Sequence, residues 1–119
     1  MPAQVQNAGL ARITAALIAL SWWLGWGTGS GAAKTAGNVT VGAATEARVV
    51  AGAVQGLTTV ANDKIVLTGT VTAAGARAIT EIGAFDALAA GNMDVYADFG
   101  VITLATGDSI AFTLNVTFS

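Results

Sequence analysis

The spacing of apolar residues along this chain switches from a helical period to a strand period about a third of the way in. Over Asn7 to Leu24, apolar side chains recur at intervals of three and four, at Leu10, Ile13, Leu17, Leu20 and Leu24, which is the spacing of a helix face. Ile18 and Trp22 fall on another face, so the predicted helix is apolar nearly all round. The next stretch, Gly25 to Gly37, reads GWGTGSGAAKTAG, and its glycines predict a loop. From Val39 onward the period shortens to two. Ile110, Phe112, Leu114, Val116 and Phe118 alternate with Ala111, Thr113, Asn115, Thr117 and Ser119, as in a strand with one buried face. Met93, Val95, Ala97 and Phe99 alternate with Asp94, Tyr96 and Asp98 in the same way. Lys64 to Thr72 is rich in Val, Ile and Thr, which favour strands. Ala47–Val54, Leu57–Val60, Ile79–Phe85 and Val101–Leu104 are further strand candidates. Turn residues separate them at Ala61-Asn62-Asp63, Ala74-Gly75, Ala90-Gly91-Asn92 and Thr106-Gly107-Asp108.

Many short strands at this spacing predict a mainly β fold, an antiparallel β-sandwich or jelly-roll-like domain over 39–119. The inward positions of its last strand are Ile110, Phe112, Leu114, Val116 and Phe118. Residues 1–38, the apolar helix and the glycine-rich loop, form an arm of the same domain. No internal period indicates a solenoid.

Composition changes this picture in two ways. The chain has 119 residues, 54% of them hydrophobic and only 10% charged, and its mean hydropathy is +0.66. It therefore has ample apolar surface for a core. A lone soluble domain carries about a quarter charged residues, so something is expected to cover part of this surface. Lipid is not the expected cover. Arg12 interrupts the apolar run, and Ile13 to Trp26 is shorter than the roughly 20 residues that cross a bilayer. Met1 to Gly9 holds no basic residue, so a secretory leader is not expected either. The second change concerns charge. Five Lys/Arg against seven Asp/Glu give a net charge of -2, which argues against nucleic acid as a partner.

Chemistry is sparse. With no histidine and no cysteine, the chain lacks imidazole bases, thiolate nucleophiles and the usual zinc ligands. Gly27 to Thr35 has the flavour of a phosphate-binding loop, but Ala33 precedes Lys34 where the motif needs glycine, and no strand leads into it. Asp98-Phe99-Gly100 matches a kinase metal-binding triplet in a chain far too short to be a kinase. Asp94 and Asp98 share a strand face about 13 Å apart at about 3.3 Å per residue, too far for a carboxylate pair or a shared ion. Asp63, Asp86 and Asp108 occupy turns, where a carboxylate accepts nearby backbone N–H groups. No catalytic, metal or cofactor site is expected, and no enzyme.

Trp22, Trp23 and Trp26 cluster beside the glycines. On a helix Trp22 and Trp23 diverge by about 100°, so one core cannot take both, and tryptophan is an enriched interface anchor. Leu17, Leu20, Trp22, Trp23, Trp26, Gly27 and Gly29 are therefore the candidate assembly interface.

Motifs along the chain carry a resemblance. Trp23-Leu24-Gly25-Trp26-Gly27-Thr28-Gly29, Glu46-Ala47-Arg48 and Leu67-Thr68-Gly69-Thr70 resemble segments of small virion proteins of tailed bacteriophages. So do Ala78-Ile79-Thr80-Glu81-Ile82-Gly83-Ala84-Phe85-Asp86, Gly91-Asn92-Met93 and the closing Gly107-Asp108-Ser109-Ile110-Ala111-Phe112-Thr113. The resemblance covers roughly Trp23 to Ser119 and supplies no catalytic residues. It implies a non-enzymatic β-rich protein of the particle, built in many copies, and does not by itself separate head from tail. Low charge and modest length favour a capsid decoration (cement) protein on the phage head surface. Its implied partners are the major capsid protein and copies of itself, often as a trimer. A tail-fibre or tail-tip component is the alternative. From another class, a carbohydrate- or surface-binding module would stack sugar rings on the tryptophans.

Overall fold

The computed structural model describes residues 3–29, 45–58 and 60–118. One helix, α1 (Asn7–Ile18), precedes six strands: β1 (Trp22–Gly27), β2 (Val49–Gly56), β3 (Lys64–Thr72), β4 (Arg77–Phe85), β5 (Met93–Leu104) and β6 (Ser109–Thr117). They form one sheet in the order β5-β4-β1-β2-β3-β6, and every pairing is antiparallel. The order β4-β1-β2-β3 is that of a Greek key. Only Ala73–Ala76 joins β3 to β4. In a flat sheet those strands would lie about 14 Å apart at about 4.8 Å per step. Five peptide steps reach about 17 Å at most. Such a short link therefore suits a strongly curled sheet, and the sheet is nearly closed and barrel-like.

β2 makes the corner. Its first residues, Val49–Ala51, pair with β1, and Gly52–Gly56 pair with β3, with no residue shared. Gly52 sits at the changeover, where a Cβ would lie 3.2 Å from the Thr68 hydroxyl. The curl also brings β1 over β3. Leu24 is wholly buried, and its Cδ1 would lie 3.0 Å from a Cβ at Gly69. Gly69 thus leaves the space that Leu24 fills.

The enclosed core gathers Trp22, Leu24 and Trp26 from β1, Ile65, Leu67 and Val71 from β3, Ile79, Ile82 and Ala84 from β4, and Leu114 from β6. The β4–β5 ladder shifts register between Ile79 and Glu81. This irregularity lets Ile79 share the core with Ile82, three residues on. The Trp26 and Phe112 rings meet edge to face, 6.3 Å apart at 75°, a favoured aromatic geometry.

The helix of the sequence reading is shorter than expected. It ends at Ile18, and Trp22–Gly27 is an interior strand of the sheet. The cause is local. The Trp22 indole N–H donates to the Leu17 carbonyl at 2.8 Å, which also accepts the Leu20 N–H at 3.1 Å. Beyond it, Trp22, Leu24 and Trp26 alternate with Trp23, Gly25 and Gly27, and β4 offers β1 a full ladder from Trp23 to Gly27. The N-terminal segment thus contributes a strand to the sheet, between β2 and β4. The expected boundary at 38/39, and the glycine-rich loop beyond Gly29, lie outside the described residues.

α1 packs one face on the sheet, burying Leu10 and Thr14 and leaving Ile13 exposed. Its anchors are polar: the Thr14 hydroxyl donates to the Asn62 carbonyl at 2.9 Å, and the Gln55 amide donates to Thr14 and to the Ala11 carbonyl.

Three further expectations change. The β layers are one curled sheet rather than a two-sheet sandwich or jelly roll. Val101–Leu104 continues β5 through Gly100 instead of forming a separate strand. Leu57–Val60 is not a strand, because the Asp63 carboxylate accepts the N–H groups of Thr58 (2.7 Å) and Val60 (3.1 Å) and folds them into a turn. β3 lies where its Val, Ile and Thr content placed it and β6 where the alternation did, and Ile110, Phe112, Leu114 and Val116 of β6, with Phe118 just beyond, turn toward the core.

Trp26 and Trp23 are neighbours on opposite faces of this arrangement. Trp26→Ala should cost about 3–5 kcal/mol of stability. Trp23→Ala, at a half-buried position, should cost less than half of that. Urea unfolding of both variants measures the difference.

Candidate functional site at the seam between the edge strands

β5 and β6 follow one another in the chain but stand at opposite edges of the sheet. A turn at Ala105–Asp108 joins them, closed by Asp108 N–H to the Ala105 carbonyl (3.0 Å) and Ala105 N–H to the Asp108 carboxylate (2.8 Å). The curl brings the two edges to the two sides of one cleft, with no ladder between them among the described residues. Phe99 and Phe112 bridge the seam with ring centroids 6.1 Å apart.

Along the seam lies a cleft of about 520 Å³, lined by Val95–Ala97, Phe99 and Ile102 of β5, the continuous run Ile110–Val116 of β6, and Ile82. No lining residue is charged. Consecutive residues line both walls, so the cleft meets the strand edges and not a single sheet face. A second hollow of about 430 Å³ lies toward the helix, among Leu17, Leu20, Trp22, Ile65, Asp94, Val95, Val116 and Phe118. Six hydrophobic residues here are only partly buried although they pack on the core: Val95, Phe99, Ile110, Phe112, Val116 and Phe118. The core is therefore incompletely covered at the seam.

The residues expected to form an assembly surface are distributed differently. Trp22 and Trp26 are core residues, 4% and 0% exposed, and Gly27 is buried in β1. Trp23 is half-buried on the opposite face, and Gly29 is half-buried just past the strand. Leu17 is half-buried and Leu20 is 59% exposed. Leu17, Leu20 and the edge of Trp22 meet at the second hollow, and the other four do not join them there. Trp22 and Trp26 are withdrawn because strand alternation aims both indoles, with Leu24 between them, at the core face. The Trp26 indole N–H donates to the Thr45 hydroxyl (3.2 Å) and the Glu46 carboxylate (3.1 Å).

Around this frame stand polar groups of three kinds. Glu46 pairs with the Arg77 guanidinium at 2.6 Å. Burial opposes its charge, but hydrogen bonds from Thr45, Arg77 and Trp26, with the charge of Arg77, together hold its carboxyl below the ordinary value. The turn aspartates behave as the sequence implied: besides Asp63 and Asp108, Asp86 accepts the Asn92 N–H at 2.8 Å, which lowers its pKa. Arg48 lies 3.6 Å from the centre of the Phe85 ring and donates to the carbonyls of Ala87 and Ala90.

Glu81 is the residue that sequence reasoning missed. It is wholly buried in β4. Its Oε2 accepts the Tyr96 hydroxyl at 2.6 Å, and Oε1 has no partner among the described residues. Burial, then the bond and charge of Glu81, push the Tyr96 hydroxyl well above its ordinary value. The available signal was a single carboxylate inside the otherwise uncharged run Ala78–Phe85. Asp98 is its cross-strand partner on β5.

Among the described residues no set of three or more acidic side chains is placed to hold a metal ion, and no helix is long and apolar enough to cross a membrane. The Gly27–Thr35 segment falls largely outside the described residues. What the arrangement offers is apolar surface and open strand edges. No protein-family model, curated protein or solved structure matches the chain.

Two predictions follow from the polar groups. Tyr96→Phe removes the one bond to Glu81 and should cost about 1–3 kcal/mol by urea unfolding. Glu46→Gln should lower the melting temperature at neutral pH. Because the folded-state pKa of Glu46 is depressed, its contribution is complete above the ordinary glutamate value and is lost as pH falls through the lowered one. The difference between wild type and Glu46→Gln should therefore close below about pH 4, as melting curves across pH would register.

Proposed function

We propose that the chain is a non-enzymatic structural protein of a tailed-phage particle, a decoration (cement) protein that binds between major capsid protein subunits on the head surface and stabilises the shell. The observation that carries this reading is a surface too apolar for an isolated monomer. Val50, Val54, Leu57 and Val101 are 67%, 58%, 61% and 64% exposed on a chain with 10% charged residues. Exposed apolar area of this kind marks contact sites. Additional support comes from where the phage-like motifs fall: Ala78–Asp86 is β4 and the start of its turn, and Gly107–Thr113 opens β6. They are residues that build the sheet and its seam, as suits a family defined by assembly and not by catalysis.

A tail-fibre or tail-tip component draws on the same motifs and is the second reading. The sugar-binding reading loses ground, because Trp22 and Trp26 are buried and only Trp23 has an accessible face. The test is addition of the purified protein to empty phage heads, followed by sedimentation. Saturable, stoichiometric uptake with a raised shell-disruption temperature is the expected result. Heads that sediment free of the protein at saturating input would overturn the reading.

A further inference from the structure

We infer that β6 is a self-association edge: two copies of this chain pair their β6 strands antiparallel about a two-fold axis near Thr113. The inference goes beyond the structural-protein reading: it names a contact between copies of this chain.

The phase of the β3–β6 ladder decides which backbone groups are open. The Phe118 N–H donates to the Asp63 carbonyl, and the Ala73 N–H donates to the Asp108 carbonyl, each at 2.8 Å. Between these ends the register runs without a shift, with Ile65 opposite Val116, Leu67 opposite Leu114, Gly69 opposite Phe112 and Val71 opposite Ile110. Hydrogen-bonded pairs recur every second residue in an antiparallel ladder. The N–H and C=O groups of Ile110, Phe112, Leu114 and Val116 therefore serve β3. Those of Ala111, Thr113, Asn115 and Thr117 point the other way, into the seam. Donors and acceptors alternating at that spacing beside an apolar wall are complementary to one class of occupant, an extended polypeptide strand.

Charge selects the occupant. From Ser109 to Thr117, β6 holds no Lys, Arg, Asp, Glu or Pro, the residues with which natural sheets blunt an edge. A second β6 therefore meets it without repulsion. Two β5 edges would instead bring Asp94 and Asp98 close to their counterparts, and like charges across strands destabilise. Antiparallel β6 pairing is also self-complementary, as a two-fold contact requires. It extends the ladder while placing more apolar surface over Phe112 and Val116, which the monomer leaves half-covered.

The test uses the full chain. Sedimentation velocity across a concentration series should show a monomer–dimer equilibrium. Thr113→Pro removes an N–H that β3 does not use, a position where an edge strand tolerates proline. It should keep the thermal transition and weaken dimerisation by about tenfold or more. Thr113→Val, which retains the amide, should dimerise like wild type. Should Thr113→Pro fail to fold, hydrogen exchange of the wild type decides the matter: the amides of Ala111, Thr113, Asn115 and Thr117 should be protected at high concentration and lose that protection on dilution. A wild type that stays monomeric, or that forms a trimer, overturns the inference, as does concentration-independent exchange at those four amides. Uptake by empty heads is scored separately, so loss of head binding with dimerisation intact would count against the decoration reading alone.

Discussion

The ladder of β1 with β4 is the constraint on which the rest of the structure depends. Five consecutive residues of β1, Trp23 to Gly27, pair with Phe85 to Glu81. That pairing forces the tryptophan segment to be extended, and extension sets Trp22, Leu24 and Trp26 on one face. These large side chains then fill a core that the sheet must curl around. Leu24 reaching Gly69 of β3 and Trp26 meeting Phe112 of β6 are the two contacts that close the curl. If β1 were helical instead, β4 and β2 would have no common neighbour and the Greek-key order would be lost.

Curling the sheet this far leaves its two edges opposed but, among the described residues, unpaired. A fully closed barrel would have removed them. Here the seam is held by the Phe99–Phe112 ring contact and by the Ala105–Asp108 turn, and the apolar residues along it stay half-covered. The same region carries little charge on β6. Low charge, incomplete burial and open backbone groups thus coincide at one place, and each is explicable if another polypeptide completes the surface. The polar groups lie elsewhere. Glu46 with Arg77 and Trp26 ties the segment just before β2 to β4 and the core, and the aspartates brace turns. Glu81 is the exception, a buried carboxylate with one satisfied oxygen. Its retention has a structural cost that the Tyr96 bond offsets only in part.

Much of this was legible in the sequence. The period of two placed β6 and identified its inward residues, because a half-buried strand must alternate, and the Val, Ile and Thr content of Lys64–Thr72 placed β3. The turn aspartates were legible because a carboxylate within a few residues of free N–H groups has an obvious use. The failure at Trp22–Gly27 was one of competing periods. Leu17, Leu20 and Leu24 continue a helical spacing, while Trp22, Leu24 and Trp26 alternate with Trp23, Gly25 and Gly27, and short apolar runs satisfy both. Long-range pairing with Val49–Ala51 and Glu81–Phe85 decided between them, and pairing is not written in local spacing. The sandwich expectation failed for a related reason: local alternation tells which face is buried, not whether a strand such as β2 will bend from one partner to another. The candidate interface was least legible, since it rested on the wrong period. Strand geometry drew Trp22 and Trp26 into the core and left the strand edges as the open surface.

Native-state hydrogen exchange, resolved by residue, tests the central claim most directly. If β1 is the interior strand that organises the sheet, the amides of β1 that serve its two ladders should exchange only through global unfolding, with a denaturant dependence equal to that of the whole domain. Those of α1, which rests on the sheet through one face, should exchange through a smaller opening. Exchange of the β1 amides together with or ahead of α1 would contradict the account, because it would make the tryptophan segment peripheral.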